Sequence, residues 1–441
     1  MAFPLSEKTE GNTMLFEKIA VLNKENAVEK DMYVLTKGNT ITYVGKERPE
    51  GEHRRVVKGD HLLLMPAFYN AHGHTPMTIL RGYGENMELS RWLNEKIFPF
   101  EAKLTPAMVY NSTLVGIGEM FAAGVVSSTD MYFHGEAIMS AFEKSGAKLN
   151  LSIGTTCFDD RGFYDLPDYA ENERLFSYWH GKDGGRLRVD MSIHGEYTSS
   201  PKVVADVAAY AKEKHCRMQL HLSETKKEHE ECIARHGKTP ARYFYDLGLF
   251  DVPATAAHCV WLTEEDMDLL AEKGVTAATC PVSNMKLASG IADIPAMEKH
   301  GVRVALGTDG ASSNNSLGMF GEMKALALVQ RVGSGDPAAV APEAVLSYAS
   351  RNAAASQGRE DAGVIAEGYR ADFAVIDIDK PHFHPEKQMV NHLVYSAVNG
   401  DVVMTVCDGM IVYDHGEFPT IDMERALAAM ERDFDQVIAS L

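Results

Sequence analysis

Leu62-Leu63-Leu64-Met65-Pro66-Ala67-Phe68, followed closely by His72-Gly73-His74, is the stretch whose reading decides the fold. Read as a strand, Leu62–Phe68 projects residues two apart from one face. Two imidazoles then leave one strand end side by side, a natural grip for a divalent metal. Gly73 between them adds no bulk and lets the backbone approach whatever is bound. A His-x-His pair also occurs on ordinary surfaces, so its weight depends on what ends the later strands.

From residue 62 to about residue 330, apolar strands alternate with segments of helical period. The strands read from this pattern are Leu62–Phe68, Val125–Met131, Leu149–Thr155, Arg188–His194, Met218–Ser223, Ala254–Cys259, Val275–Cys280 and Val302–Thr308. Between them Pro106–Ala123, Pro201–Lys214, Lys226–Tyr245, Glu264–Lys273 and Ile294–His300 are amphipathic. Eight alternations over roughly 250 residues match the size of a (β/α)8 barrel, here residues 61–360. Short strands flank it: Phe16–Leu22, Tyr33–Thr36, Thr40–Val44 and Arg54–Val57 before, Gly363–Glu367, Ala371–Ile378, Val402–Val406 and Met410–Tyr413 after. Residues 336–358 read as helical, and a terminal helix covers Met423–Ser440. The spacing predicts one small β unit assembled from residues 1–60 and 361–441.

The 441 residues carry 43 Lys and Arg against 62 Asp and Glu, a formal net charge of −19. That excess argues against nucleic acid or an anionic membrane as partner. It leaves a small-molecule substrate open, since a pocket can differ from the global field. Six cysteines are scattered without a C-x-x-C pair, the usage of a reduced cytosolic protein. Met1–Asn12 is polar and reads as neither signal nor transit peptide. No run reaches the apolar length that spans a bilayer. The expectation is a soluble cytoplasmic protein.

Barrel enzymes place their chemistry at the C-terminal strand ends. In order, those ends carry His72 and His74, then His194, His221-Leu222-Ser223-Glu224, His258 and Asp309. Each has a local alternative. Glu224 precedes Thr225-Lys226-Lys227-Glu228, which has the form of a capping box. Asp309 in Gly307-Thr308-Asp309-Gly310 can shape a turn, and His221 can be a core histidine bonded to a carbonyl. Recurrence at five strand ends favours a metal site over these local roles. His134, His180 and His236 are read as structural or surface residues.

Longer motifs add specificity. Asn70-Ala71-His72-Gly73-His74-Thr75-Pro76-Met77, Leu80-Arg81-Gly82, His221-Leu222-Ser223-Glu224-Thr225, Ala257-His258-Cys259, the Cys280–Gly290 segment and Gly307-Thr308-Asp309-Gly310-Ala311-Ser312-Ser313-Asn314-Asn315 resemble the amidohydrolase superfamily. The resemblance is to the branch of methylthioadenosine/S-adenosylhomocysteine deaminases and chlorohydrolase-like enzymes. It implies a distorted (β/α)8 barrel with a β-sandwich built from both termini. It further implies that His72, His74, His221 and Asp309 hold one divalent metal, zinc in most relatives, with iron or manganese as alternatives. Glu224 would then shuttle protons, His258 would polarise the attacking water, and Asp309 would accept its proton. Glu101 matches a ribose-binding position, and His194 and Ser313 match positions that touch purine or sugar. Trp92 reads as an apolar wall of the pocket or as a helix packing residue.

Two departures bear on substrate. Where the family often has His-x-Pro-Tyr, this chain reads His194-Gly195-Glu196-Tyr197. Glu196 is thus expected either near the substrate, selecting a cationic or hydrogen-bond-donating group, or capping a loop. After the third strand, Asp159-Asp160-Arg161-Gly162-Phe163-Tyr164-Asp165 offers one arginine for an anionic tail and is otherwise acidic. The expected activity is hydrolytic deamination of an aminopurine nucleoside: adenosine, 5′-deoxyadenosine or methylthioadenosine, with S-adenosylhomocysteine poorer. The alternatives are hydrolysis of guanine, cytosine, a pterin or a triazine, and, from another class, a non-catalytic ligand-binding barrel. An intact ligand set beside Glu224 and His258 disfavours the last. Relatives of this branch often form dimers or larger homo-oligomers, and the resemblance implies the same option here.

Overall fold

The computed structural model describes residues 13–441. Met1–Asn12, read above as a polar start without a leader, lies outside the described residues. Five strands come first: β1 (Thr13–Leu22), β2 (Val28–Lys37), β3 (Thr40–Gly45), β4 (Arg55–Lys58) and β5 (Leu62–Pro66). Next, β6 (Phe68–Gly73), β7 (Val125–Met131), β8 (Lys148–Ser152) and β9 (Leu187–Val189) form a four-stranded parallel sheet. A second parallel sheet holds β10 (Met191–Ile193), β11 (Met218–Leu222), β12 (Ala254–His258), β13 (Thr276–Thr279) and β14 (Arg303–Leu306). Finally β15 (Phe373–Asp377), β16 (Val402–Cys407) and β17 (Met410–Asp414) join the first five strands in one mixed sheet. Its order is β17-β16-β15-β5-β1-β2-β3, with β4 beside β1.

The opening stretch of the sequence thus divides between two sheets. Leu62–Pro66 pairs antiparallel with β15 and parallel with β1, so it is not the strand that bears the histidines. That strand is Phe68–Gly73, paired with β7. The apolar run misleads because β5 is buried on both faces, which also produces unbroken apolar sequence. Leu63 and Met65 enter the main core while Leu64 enters a smaller one, and in β15 Ala374 and Ile376 likewise alternate with Phe373 and Val375. This period of two is the pleat of a sheet between two cores.

Helices connect the parallel strands, among them Pro106–Ala122, Pro201–Lys214 and Glu264–Glu272. Their starts are capped by Thr105, Ser200 and Thr263, whose side chains accept N–H bonds from the first turn. The predicted helix Lys226–Tyr245 is two helices, Lys226–His236 and Pro240–Asp246, because Gly237 takes a left-handed φ of 65° and ends the first. Gly363–Glu367 forms turns and bends rather than a strand, with Gly363 and Gly368 at φ of 75° and 86°. No helix among the described residues is long and apolar enough to cross a membrane.

Bridges link the two parallel sheets at both edges. Gly73 pairs in parallel with Asp309, and Thr155 pairs in parallel with Ile193. The terminal sheet is tied to the parallel strands by a buried ion cluster. Lys148 Nζ, on β8, lies 2.7 Å from Asp372 Oδ1 and 2.7 Å from Asp408 Oδ1. Asp372 also accepts from the Tyr69 hydroxyl on β6 and, at 2.7 Å, from the Asp408 N–H. Removing Asp372 breaks one of the two buried ion pairs of Lys148 and strips the acceptor from the Tyr69 hydroxyl and the Asp408 N–H. Asp372→Ala is expected to lower the unfolding free energy by about 3–5 kcal/mol. The denaturation midpoint checks it; a shift worth under about 1 kcal/mol would show that the cluster does not anchor the sheet.

Candidate active site

Backbone pairing at one seam builds half of the site. Asp309 N–H donates to the His72 carbonyl at 3.0 Å. Asn70 Nδ2 donates to Thr308 Oγ1 at 2.8 Å, and Thr308 N–H returns a bond to Asn70 Oδ1 at 2.9 Å. Gly307 is required here, because a Cβ would lie 2.8 Å from the His72 carbonyl oxygen and 2.9 Å from its nitrogen. At Gly73 the missing Cβ makes room for the side chains of Asn70 and Asp130, rather than for a bound group as expected from sequence. The outcome is Asp309 Oδ1 at 3.2 Å from His74 Nε2 and 3.6 Å from His72 Nε2.

His221 at the end of β11 and His258 at the end of β12 complete the cluster. The His72 and His221 ring centroids lie 4.9 Å apart, and those of His221 and His258 lie 5.5 Å apart. The outward nitrogens are occupied. His74 Nδ1 meets the Met131 carbonyl at 2.6 Å, His221 Nδ1 meets the His194 carbonyl at 2.6 Å, and His258 Nδ1 meets Asn284 Oδ1 at 2.9 Å. A carbonyl only accepts, so each of these rings carries a proton on Nδ1 and turns its Nε2 inward.

A divalent metal fits this arrangement. Among the described residues, donor atoms of His72, His221 and His258 lie within 4.8 Å of one another, as do those of His72, His74 and Asp309. His72 belongs to both groups, and its Nε2 is buried without a hydrogen-bond partner. A buried orphan nitrogen between imidazoles and a carboxylate is what a cation with nitrogen and oxygen ligands satisfies. Burial pushes the His72 imidazole down to about 4 and His221 well below its ordinary value, so both are neutral ligands at pH 7. Burial opposes charge on His74 too, but its bond to Asp309 and that carboxylate's field hold it up at about 9. Burial likewise works against the Asp309 anion, yet His72 and His74 keep it well below the usual carboxylate range.

Glu224 stands beside this cluster. Its Oε2 is 3.8 Å from His258 Nε2, and its Oε1 accepts from Ser289 Oγ at 3.3 Å. Burial raises its pKa, the shift a proton carrier needs. Ser223, immediately before it, has a left-handed φ of 46°, and His258 and Asp309 have φ of 69° and 61°. Such backbone strain at three strand ends is held in place by surrounding bonds. Glu228 supplies two of them: Oε1 accepts the Ser223 N–H at 3.0 Å and Oε2 the Glu224 N–H at 2.8 Å. The expected capping box is therefore displaced; Thr225 Oγ1 does cap Glu228 N–H, but the Glu228 carboxylate reaches past Thr225 to the turn.

A cavity of about 320 Å³ opens over the cluster, lined in part by His74, His194, His221, Glu224, His258 and Asp309. Glu101, Trp92 and Ser313 line it as well. Glu101 accepts from the Tyr132 hydroxyl at 2.7 Å, and burial pushes it up to about 7. Ser313 and Ser283 both donate to Asp309 Oδ2, at 2.8 and 2.6 Å. Trp92, on the short helix Leu89–Trp92, is both wall and packing residue.

Glu196 does not join them, which corrects its expected place at the substrate. It starts a single turn, Glu196–Thr198, that directs the carboxylate to the helix Lys226–His236. There it accepts from Arg235 and, at 2.8 Å, from His236 Nε2, so a carboxylate only 3% exposed is neutralised away from the cavity. Arg161 is exposed and paired with Asp159, outside the lining. Asn284, Ser283, Ser289, Tyr132 and Glu228 were not anticipated. Three of them lie inside the Cys280–Gly290 motif, directly after a strand end, which was the available signal.

Comparison with known proteins agrees with this geometry. The model of the amidohydrolase family matches residues 63–412. A 5-methylthioadenosine/S-adenosylhomocysteine deaminase of Thermoanaerobacter pseudethanolicus is 36% identical over 422 residues, 95% of this chain and 98% of that one. A 5′-deoxyadenosine deaminase of Methanothermobacter thermautotrophicus is 38% identical over 407 residues, covering 90% and 93%. Among solved structures, an adenosine deaminase of Xanthomonas campestris with bound zinc superposes with a TM-score of 0.92 at 28% identity, covering 98% of this chain and 99% of that one. An atrazine chlorohydrolase of Arthrobacter aurescens shares the fold, with a TM-score of 0.88 at 20% identity over 96% of this chain and 100% of that one.

The residues behind the histidines are testable. Asn284→Ala removes the acceptor that orients His258 and is expected to cost roughly 10- to 100-fold in kcat/KM. Circular dichroism of the variant should stay native; undiminished kcat/KM would show that Asn284 does not set the ring.

Proposed function

Because this chain belongs to the amidohydrolase family, we propose that it deaminates an aminopurine nucleoside whose 5′ position carries no anionic group. The substrates in view are adenosine, 5′-deoxyadenosine and methylthioadenosine. The observation that carries this reading is the buried, orphaned His72 Nε2 amid His74, His221 and Asp309, the last three of which line a cavity together with Glu101 and Glu224. The bridges between the two parallel sheets support one distorted (β/α)8 barrel that starts after β5 and runs to about residue 360. The separate core beneath the mixed sheet supports a β-sandwich unit built from both termini, and because β5 pairs within that sheet, the boundary expected at residue 60 moves to Pro66–Ala67. Six unpaired, buried cysteines fit a reducing cytoplasm.

His72, His74, His221 and Asp309 would hold one divalent metal per chain, zinc by analogy with the bound zinc of the Xanthomonas neighbour. When bound, such an ion acts as a Lewis acid that brings the pKa of a water to near neutrality. The chain's own residues do the rest. Glu224, protonated in part because of its burial, gives a proton to the ring nitrogen next to the amino-bearing carbon. His258, its Nδ1 fixed on Asn284, directs Nε2 at the attacking oxygen. Glu224, having given up its proton, would take the attacking water's first proton and pass it to the amine. Asp309 would take the second and return it to Glu224, and ammonia would leave as the carbonyl forms, with one water consumed. Glu101, fixed by Tyr132, accepts from the sugar hydroxyls, and His194 and Ser313 border the base and sugar.

No Lys or Arg lines this cavity, whereas Glu101, Asp168, Glu224 and Asp309 do. A carboxylate-bearing tail finds no partner there, which supports poorer use of S-adenosylhomocysteine.

Metal analysis of purified protein should find about one divalent ion per chain, and removing it should abolish ammonia release from 5′-deoxyadenosine. Glu224→Gln should keep the metal and lose at least 100-fold in kcat, within the range of proton-transfer catalysis, about 10²–10⁴. Metal-free protein that remains active, or an unimpaired Glu224→Gln enzyme, would overturn the mechanism.

A further inference from the structure

The parallel strands carry the histidine cluster at their C-terminal ends. Near their opposite ends a second cluster of charge surrounds a cavity of about 20 Å³. Lys148 opens β8, Arg186 precedes β9 and Arg188 lies within it. Arg359 and Arg370 belong to the segment that links the helix Arg351–Ser356 to β15. These five cations line the cavity with two carboxylates, Asp361 and Asp408. In a chain of net charge −19 that is a local reversal of sign.

Three of the five have carboxylate partners: Lys148 holds Asp372 and Asp408, Arg186 holds Asp183, and Arg370 holds Asp361. Among the described residues Arg188 and Arg359 have none. Arg359 donates to Gln357 Oε1, Asn150 Oδ1 and three carbonyls, and Arg188 donates to carbonyls alone. Both reach the same Gly185 carbonyl, Arg188 through Nε at 3.1 Å and Arg359 through Nη1 at 2.8 Å. Two like charges are thus set side by side at the cavity wall, and Arg359 is only 5% exposed. Buried charge without a counter-charge is costly. Burial, and then the charge of Arg188, bring the Arg359 guanidinium down to about 10. Arg217 adds to the excess: its Nε is buried without a partner, and a Cβ on Gly358 would lie 2.9 Å from Arg188 Nη1 and 3.4 Å from Arg217 Nη1. The carboxylates whose charges favour Arg188 are Asp190, held by Asn150 and Gln219, and Asp361, held by Arg370. Donors remain free. Arg188 Nη2 meets no protein acceptor among the described residues, and Arg359 Nη1 uses one of its two hydrogens.

We propose that this cavity binds one small monovalent inorganic anion, chloride in the cell, on the free donors of Arg188 and Arg359. Size selects the ligand. A volume of about 20 Å³ exceeds the roughly 10–15 Å³ that one water-sized particle needs, and it does not hold a tetrahedral oxyanion with four oxygens of that size. Gly184 and Gly185 leave this space open, since both line the cavity without a side chain, at left-handed φ of 67° and 84°. The anion ties β9 to the segment that enters the terminal sheet, so its effect is read in stability. The site stands apart from the histidine cluster and does not depend on the nucleoside reading above.

The test is the thermal midpoint of the metal-loaded protein as sodium chloride replaces sodium gluconate at constant ionic strength, which holds screening fixed. Gluconate is too large for the cavity. The midpoint is expected to rise with chloride and to saturate, as binding to the folded state alone requires. Crystals soaked in bromide should show an anomalous peak within hydrogen-bond distance of Arg188 Nη2 and Arg359 Nη1. Arg188→Met should raise the half-saturating chloride concentration at least about tenfold, as loss of one charge-assisted hydrogen bond implies. Arg188→Lys, which keeps the charge and loses the forked donor, is expected to shift it in the same direction and serves if the methionine variant does not fold. A midpoint indifferent to chloride, a response that both variants leave unmoved, a response to phosphate but not to chloride, or bromide found only at the histidine cluster would each overturn the site.

Discussion

The site depends on the backbone bond from the Asp309 N–H to the His72 carbonyl. It brings the last parallel strand against the first and converts two histidines from one end of the sequence and a carboxylate from the other into a single cluster. Gly307 keeps that approach open, and the Asn70–Thr308 pair locks its register. Register matters because a one-residue slip along a strand would send His72 to the opposite face. Asp309 then stands at a left-handed φ that few non-glycine residues adopt, and Ser283 and Ser313 hold its carboxylate there. The cost of that geometry is borne by the seam.

Burial is the second constraint. Glu101, Glu224, Glu228 and Glu322 are all withdrawn from water, and withdrawal raises the pKa of each. None has a lysine or arginine partner; instead N–H and O–H donors surround them, as Val282 N–H and Asn314 do for Glu322. Unlike Asp372 and Asp408, which share Lys148, these four carboxylates have no lysine or arginine beside them, so burial favours their protonated forms. Stability at these positions is exchanged for reactivity.

Much of this was legible in the sequence, and for definite reasons. Strands β7, β11 and β12 were readable because each is a short, largely β-compatible segment set between helix-period stretches, even though polar residues interrupt its apolar pattern. The clustered histidines and Asp309 were readable as a group because their types recur at strand ends. Leu62–Pro66 was misassigned because an apolar run records burial, not which sheet does the burying. Glu196 was misplaced because a residue number fixes position along the chain but not the direction of a side chain leaving a single turn. Asn284 and Glu228 went unseen because their work is done through one hydrogen bond to a ring or a backbone, and an amide or a helical glutamate has many commoner uses.

The division of Leu62–Gly73 between two sheets also has a temporal side. Strand β5 must pair with β15, which lies roughly 300 residues downstream. At ribosomal rates of about 5–20 residues per second, that partner emerges roughly 15 to 60 s after β5 itself. Throughout that interval one edge of β5 is unpaired, and the strand leading directly into His72 is anchored on one side only. Apolar edges left open this long are where nascent chains associate wrongly. The last strands to appear thus complete the support beneath the first histidines of the cluster.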